Sequence, residues 1–191
     1  MFRQIKMKLF SAAKRVLPMR SLVELRKRED GLAAVEFAMV AAPFLALMFA
    51  IIETCFIFFA GQTLENATAD ASRLILTGQA QTQGFSQTQF KQAVCARVFA
   101  MFDCQNKLIV DVRTSASFGS TDMTKPINAQ GNLQNNQVYQ PGNAGDIVVV
   151  RVMYAWPVYV SLLGVSTSLS DMAGSTRLLL ATAAFRNEPY Q

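Results

Sequence analysis

The residues best placed to do chemistry in this chain are scattered acids and three cysteines, since histidine is absent. Histidine is the most frequent general base and metal ligand near neutral pH, so the commonest catalytic arrangements are excluded. The acids show no pairing pattern, and the sequence has no metal-protease, phosphate-loop, nucleophile-elbow or paired-cysteine motif. We therefore expect no catalytic residue, no metal, no cofactor and no enzymatic activity.

Glu36 is the acid whose position asks for an explanation. It lies five residues after Gly31, in an almost uninterrupted apolar run, where a charge without a partner is costly. A cut after Gly31 would give Leu32 an α-amino group, whose charge is opposite to that of Glu36. The two groups could pair on one helix, where Leu32 and Glu36 are four residues apart, or Glu36 could pair with the amino group of a neighbouring copy. Glu36 would then fix the axial register of packed helices. The alternative is a solvated residue that the helix dipole favours.

The three cysteines lie in two different settings. Cys55 belongs to the apolar run and is expected to behave as a small apolar residue. A disulfide between Cys95 and Cys104 requires a helix to break before Cys104, because nine residues of straight helix separate the Cα atoms by about 13 Å. The alternative is a pair of buried thiols.

The charge pattern predicts a membrane anchor. Residues 1–30 carry nine Lys or Arg and three acids, a net charge of +6, while the rest of the chain carries −1. The stretch 32–60 contains no Lys or Arg and would extend about 43 Å as a helix, enough to cross a bilayer. The positive-inside rule places the leader, residues 1–31, in the cytoplasm and the domain 61–191 outside, where an oxidising compartment would favour a disulfide.

Two other interpretations of the basic N-terminus fit the sequence less well. A cleaved secretory signal normally has a shorter basic region and a shorter apolar run. A nucleic-acid-binding protein needs basic residues on a folded face, and the positive charge here is confined to the leader. We therefore expect no nucleic acid among the partners.

The pattern beyond the membrane segment predicts an α+β fold with an antiparallel sheet of about three strands against the long helix. An apolar stripe extends that helix to about residue 77. Ser86 and Gln89 have capping-box spacing and begin a second helix, which is expected to end near Asp103. Residues 115–146 are rich in Gly, Asn, Gln and Ser and are predicted to form a long polar loop.

Three segments have the composition of strands. The predicted strands are 108–114, with one face in water, 147–154, in the centre of the sheet, and 177–185. The aromatic residues Tyr154, Trp156 and Tyr159 follow the central strand. They form either a contact surface or a packed sheet edge.

The string GLAAVEFAMVAAPFLALMFAIIE, which joins Gly31, Glu36 and Phe37 to a hydrophobic helix, resembles the processing site of type IV pilin-like proteins. It also resembles the TadE-like family of the tight-adherence (Flp pilus) system. Three later stretches resemble the same family: FKQAVCARVFAMFDC, GDIVVVRVMYAWPVY and RLLLATAAFRNEPY. Together the four stretches cover most of residues 31–191.

The resemblance implies that a prepilin peptidase cuts between Gly31 and Leu32, with Glu36 as the recognition and assembly residue beside Phe37. It implies a minor pilin or pseudopilin in the bacterial inner membrane, with a periplasmic domain. Its partners would be other pilin-like proteins, the pilus-assembly platform and membrane lipid. The alternative is a single-pass, anchored periplasmic accessory or binding protein that is neither processed nor incorporated in a fibre.

Overall fold

The structure, a computed structural model, describes residues 31–98, 102–121, 124–134, 136–159 and 169–190, so the predicted leader lies outside the described residues except for Gly31. The chain divides into two compact units between Leu45 and Ala46. The elements in chain order are α1 Leu32–Leu76, α2 Gln79–Thr82, α3 Gln87–Cys95, α4 Cys104–Lys107, β1 Ile109–Ser115, β2 Ile147–Pro157 and β3 Thr176–Arg186.

The long helix α1 has the extent that its sequence predicts. Its second half carries an apolar stripe that is fully buried, at Leu64, Ala67, Ala71 and Ile75. The helix ends where Gly78 adopts a φ of +77° and donates its N–H to the carbonyl of Ile75. Glycine is favoured there because other residues are strained at that φ.

The sheet is antiparallel with the order β1-β2-β3, so the strand predicted to be central is central. The register pairs Val112 with Val150 and Val150 with Ala183. One face of the sheet and the stripe of α1 form a single hydrophobic core. This arrangement is the predicted α+β fold, a long helix laid against three antiparallel strands.

The prediction of a water-exposed face on β1 is wrong. Asp111, the polar residue at the middle of that face, is only 1% exposed. The difference arises because the loop between β1 and β2 donates the N–H of Val138 to the Asp111 carboxylate, which Arg151 also contacts. A polar sequence pattern on one face therefore marks a buried polar contact here.

The second helix is shorter than predicted. The capping box at Ser86 is present, with Ser86 Oγ accepting from the Gln89 N–H and Gln89 Oε1 accepting from the Ser86 N–H. The helix ends at Cys95, and a separate turn of helix begins at Cys104. Val98 packs against the core from a turn that follows α3, so its apolar character does not require a continuous helix.

Candidate functional site

The sequence-predicted processing residues lie at the beginning of the described chain. Gly31 precedes the first residue of α1, Leu32. Leu32 and Glu36 are both exposed, and their spacing of four places them on one face of the helix. Phe37 beside them is 74% exposed. The helix therefore presents both the predicted cut site and the acid on its surface.

The first part of α1 is apolar on all sides. Between Leu32 and Ile52 the only charged residue is Glu36, and this stretch contains no Ser, Thr, Asn or Gln. These residues are exposed or only partly buried, and 21 residues of helix extend about 31 Å, the thickness of a hydrocarbon core. Among the described residues, α1 is the helix long and apolar enough to cross a membrane, which suggests a membrane anchor.

Glu53 marks the point at which α1 begins to contribute to the domain. Its side chain is buried, and its Oε1 accepts the backbone N–H of Tyr159 at 2.5 Å, just beyond the end of β2. One and two turns later Ile57 and Ala60 are already part of the core. The part of α1 that contributes buried side chains therefore begins at Glu53.

Aromatic side chains surround this contact. Phe49, Ile52, Glu53, Phe56, Trp156 and Tyr159 line a groove of about 250 Å³, which we call the aromatic groove. Trp156 is held from the domain side by Phe102, whose ring is edge-on to it at 5.6 Å between centroids. Tyr159 is 79% exposed. Trp156 therefore belongs to the packed end of the sheet and also lines the groove, whereas a contact surface at these aromatic residues stays a prediction.

Cys95 and Cys104 are joined by a disulfide, with Cα atoms 5.7 Å apart. The break between α3 and α4 brings the two residues together, which is the condition that the spacing imposed. The bond closes a short loop and ties the end of α3 to the start of α4. Cys55 is a free, exposed cysteine on the apolar part of α1.

The most buried charged cluster joins the sheet to the loop that follows β1. Asp111 Oδ2 accepts from Arg151 Nη2 at 2.7 Å, and Arg113 Nε lies 3.0 Å from both carboxylate oxygens. The N–H of Val138 donates to Asp111 Oδ1 at 2.9 Å. Burial alone would raise the pKa of Asp111, but the hydrogen bonds from Val138, Arg151 and Arg113 outweigh it and lower that pKa. The Asp111 carboxylate therefore stabilises the contact between the strands and the loop, and its lowered pKa makes it a poor base.

Sequence reasoning missed Glu53 and the Asp111–Arg151 pair. A signal for the pair was present, since each residue is a charge within a β-branched run: IVDV for Asp111 and VVVRV for Arg151. Arg151 lies in the strand that the pattern predicts to be central, and a charge buried there needs a partner. The signal for Glu53 was its position as a charged residue in the apolar run, where a charge without a partner is costly.

The described fold and site define a class of protein: a single apolar helix that continues into the core of a small α+β domain. Residues 31–73 match the family model of the TadE-like protein, so this part of the chain is similar to that family, as its sequence pattern indicated. The match indicates a protein associated with the Tad pilus. No curated protein and no solved structure matches the chain. The matched residues end at Arg73, before the three later stretches that resemble the same family.

Proposed function

We propose that this protein is a membrane-anchored minor pilin or pseudopilin that acts in the assembly of a tight-adherence, type IV-like pilus. One observation carries the proposal: a single helix combines an exposed apolar first half, with one acid near its start, and a second half buried in a domain core. The first half suits packing against other such helices, and the second half fixes the domain to them. The similarity of residues 31–73 to TadE-like proteins supports this role.

Glu36 has the central part in the proposed assembly. It is the only charge in the first 21 residues of α1, and among the described residues no hydrogen bond or ion pair reaches it. Packing this face against another helix would desolvate the carboxylate, which is costly without a counter-charge. Cleavage after Gly31 creates that counter-charge, the α-amino group of Leu32 on the neighbouring chain. Assembly and processing are thereby coupled.

The proposed topology places the leader in the cytoplasm, α1 across the bacterial inner membrane and the domain in the periplasm. The nine basic residues of the leader support this orientation through the positive-inside rule. The disulfide supports it as well, since disulfides persist in oxidising compartments. The proposed partners are a prepilin peptidase, other pilin-like subunits and the assembly platform, and the proposed role is structural and not catalytic.

The test compares Glu36→Gln with Glu65→Gln in cells that make the pilus. Glutamine keeps the size of the side chain and removes its charge. Glu65 is an exposed acid farther along the same helix, so it is the matched control. We expect Glu36→Gln to abolish fibres while the protein stays in the membrane, and Glu65→Gln to leave fibre number unchanged. Electron microscopy of the fibres and a membrane immunoblot measure the two effects.

The mature N-terminus is the second readout of the same cells. We expect mass spectrometry of the parent protein to find a chain that begins at Leu32. A chain that keeps Met1, together with normal fibres in Glu36→Gln, would point to the anchored accessory protein that is neither processed nor incorporated.

A further inference from the structure

The aromatic groove opens on an apolar surface of the second unit. Beside it, Ile51, Cys55 and Phe59 line a second hollow of about 400 Å³ together with Ile52 and Phe56. Several of these large apolar side chains are about half exposed, including Phe56 at 53% and Phe59 at 50%. Contiguous apolar surface of this kind on a protein normally contacts a membrane or a partner.

The continuity of this surface with the membrane-type part of α1 favours lipid. If hydrocarbon covers α1 from Leu32 for the thickness of a bilayer core, it ends near Ile52. Phe56 and Phe59 then lie about 6 to 10 Å beyond that boundary along the helix axis. This is the depth of the headgroup layer, so the helical side of the groove faces the interface between hydrocarbon and water.

The sheet side of the groove has the composition of a membrane interface. Trp156 and Tyr159 are amphipathic rings with one polar atom each, and such residues are enriched at the headgroup level of membranes. Glu53 fits the same position, because its carboxylate is buried and accepts the N–H of Tyr159. The Glu53 carboxylate, at the edge of the hydrocarbon, thus has a hydrogen-bond donor in the polypeptide that follows β2.

We propose that the end of β2 lies in the headgroup layer of the bilayer. The part of a phospholipid acyl chain nearest the headgroup then lies in the aromatic groove. Trp156 and Tyr159 anchor this end of the sheet beside the point where α1 leaves the membrane. The inference rests on the membrane anchor and not on the pilus role, so it can fail while the proposed function stands. A second copy of the chain on this surface is the competing outcome.

The protein contains its own probe, because Trp156 is its only tryptophan. The full chain is reconstituted in vesicles of phosphatidylethanolamine and phosphatidylglycerol that carry bromine either near the headgroup or near the bilayer centre. We expect a large loss of Trp156 emission with shallow bromine, a small loss with deep bromine and little quenching by aqueous iodide. This profile is the one that a ring in the headgroup layer produces.

The matched control moves the tryptophan to the other end of the sheet, as Trp156→Phe combined with Phe118→Trp. Phe118 is 56% exposed and follows β1, whose last residue Ser115 pairs with Ile147 at the far end of β2. We expect iodide, and neither brominated lipid, to quench this variant.

Three results with the parent protein would overturn the proposal. Quenching by iodide without quenching by bromine puts the groove in water. Stronger quenching by deep bromine than by shallow bromine puts it inside the hydrocarbon. Protection from all three quenchers means that protein covers the groove, and crosslinking in the same vesicles then shows whether a second copy does so.

Discussion

At the scale of single residues, three acids differ in what surrounds the carboxylate. Glu36 is exposed on an apolar helix, Glu53 is buried against a peptide N–H, and Asp111 is buried against two guanidinium groups. In the proposed assembly, Glu36 needs a counter-charge from another chain when its helix packs. Glu53 and Asp111 already connect elements that are distant in sequence.

The Asp111→Asn variant tests how much the buried pair stabilises the domain. Loss of the negative charge removes the carboxylate that the guanidinium groups of Arg151 and Arg113 both contact, and breaking a buried pair in this way costs about 3–5 kcal/mol. We expect the free energy of unfolding to fall by about that amount, measured by urea denaturation in detergent with Trp156 emission. The control Asp70→Asn changes an exposed acid and should leave the unfolding midpoint in place.

The same pair makes a pH dependence whose sign follows from the lowered pKa of Asp111. A carboxylate with a lower pKa in the folded state stabilises fully at neutral pH. That contribution is lost as the pH falls below about 3.8, the ordinary value, and through the folded pKa. We therefore expect the stability difference between the parent and Asp111→Asn to shrink in acid. A difference that stays constant down to strong acid would contradict this account.

At the scale of elements, the buried stripe on the second half of α1 contains alanines, which lie in the core that this helix shares with the sheet. Ala71 is fully buried, whereas Ala69 on the same helix is exposed. We expect Ala71→Leu to lower the free energy of unfolding by about 1–3 kcal/mol, since a well-packed core has no room for added methylenes. Ala69→Leu adds the same atoms on the exposed side and should change it by about 0.5 kcal/mol or less. Equal effects in the two variants would mean that the stripe is loosely packed.

The sequence predicts those elements whose signals are local. The extent of α1 follows from its apolar stripe, the start of α3 from the capping box at Ser86, and the central place of β2 from its β-branched run. The end of α3 was predicted too late because the apolar spacing continues past Cys95. The helix ends at Cys95, which is bonded to Cys104, and a disulfide is a tertiary constraint that periodicity does not contain.

The candidate site divides in the same way. Gly31 and Glu36 were singled out from their spacing in one segment; Gly31 precedes α1, and Glu36 is exposed on it. The partner of Glu53 is 106 residues away in sequence. The partner of Asp111 on β2 is 40 residues away. A local pattern shows that such charges need a partner, and only the register of the fold shows which partner they have.

At the scale of the whole molecule, one helix has to satisfy two environments. Its first 21 residues have no polar side chain except Glu36 and suit lipid or other helices. Its second half carries Thr63, Thr68 and Ser72 on the buried side, and the two threonine hydroxyls donate to carbonyls of α1. The composition changes near Glu53, where the described contacts with the sheet begin. The helix therefore encodes both the anchor and the support of the domain.

The proposed topology makes a prediction about the redox state of the cysteines in cells. The chain has three cysteines, of which Cys55 is free and Cys95 and Cys104 are bonded. When cells are quenched in acid, denatured and treated with a maleimide mass tag, we expect one tag per chain. Reduction before labelling should give three tags, because the bond between Cys95 and Cys104 is then opened.

A strain without its periplasmic thiol oxidase provides the contrast, since a periplasmic domain depends on that oxidant. There we expect three tags without prior reduction. The Cys55→Ser variant identifies the free thiol, as it should carry no tag in oxidase-containing cells and two after reduction. Three tags in oxidase-containing cells would place the domain in a reducing compartment and reverse the proposed orientation. One tag there, and three without the oxidase, would support the proposed order: the basic leader in the cytoplasm, the apolar part of α1 in the membrane and the disulfide in the periplasm.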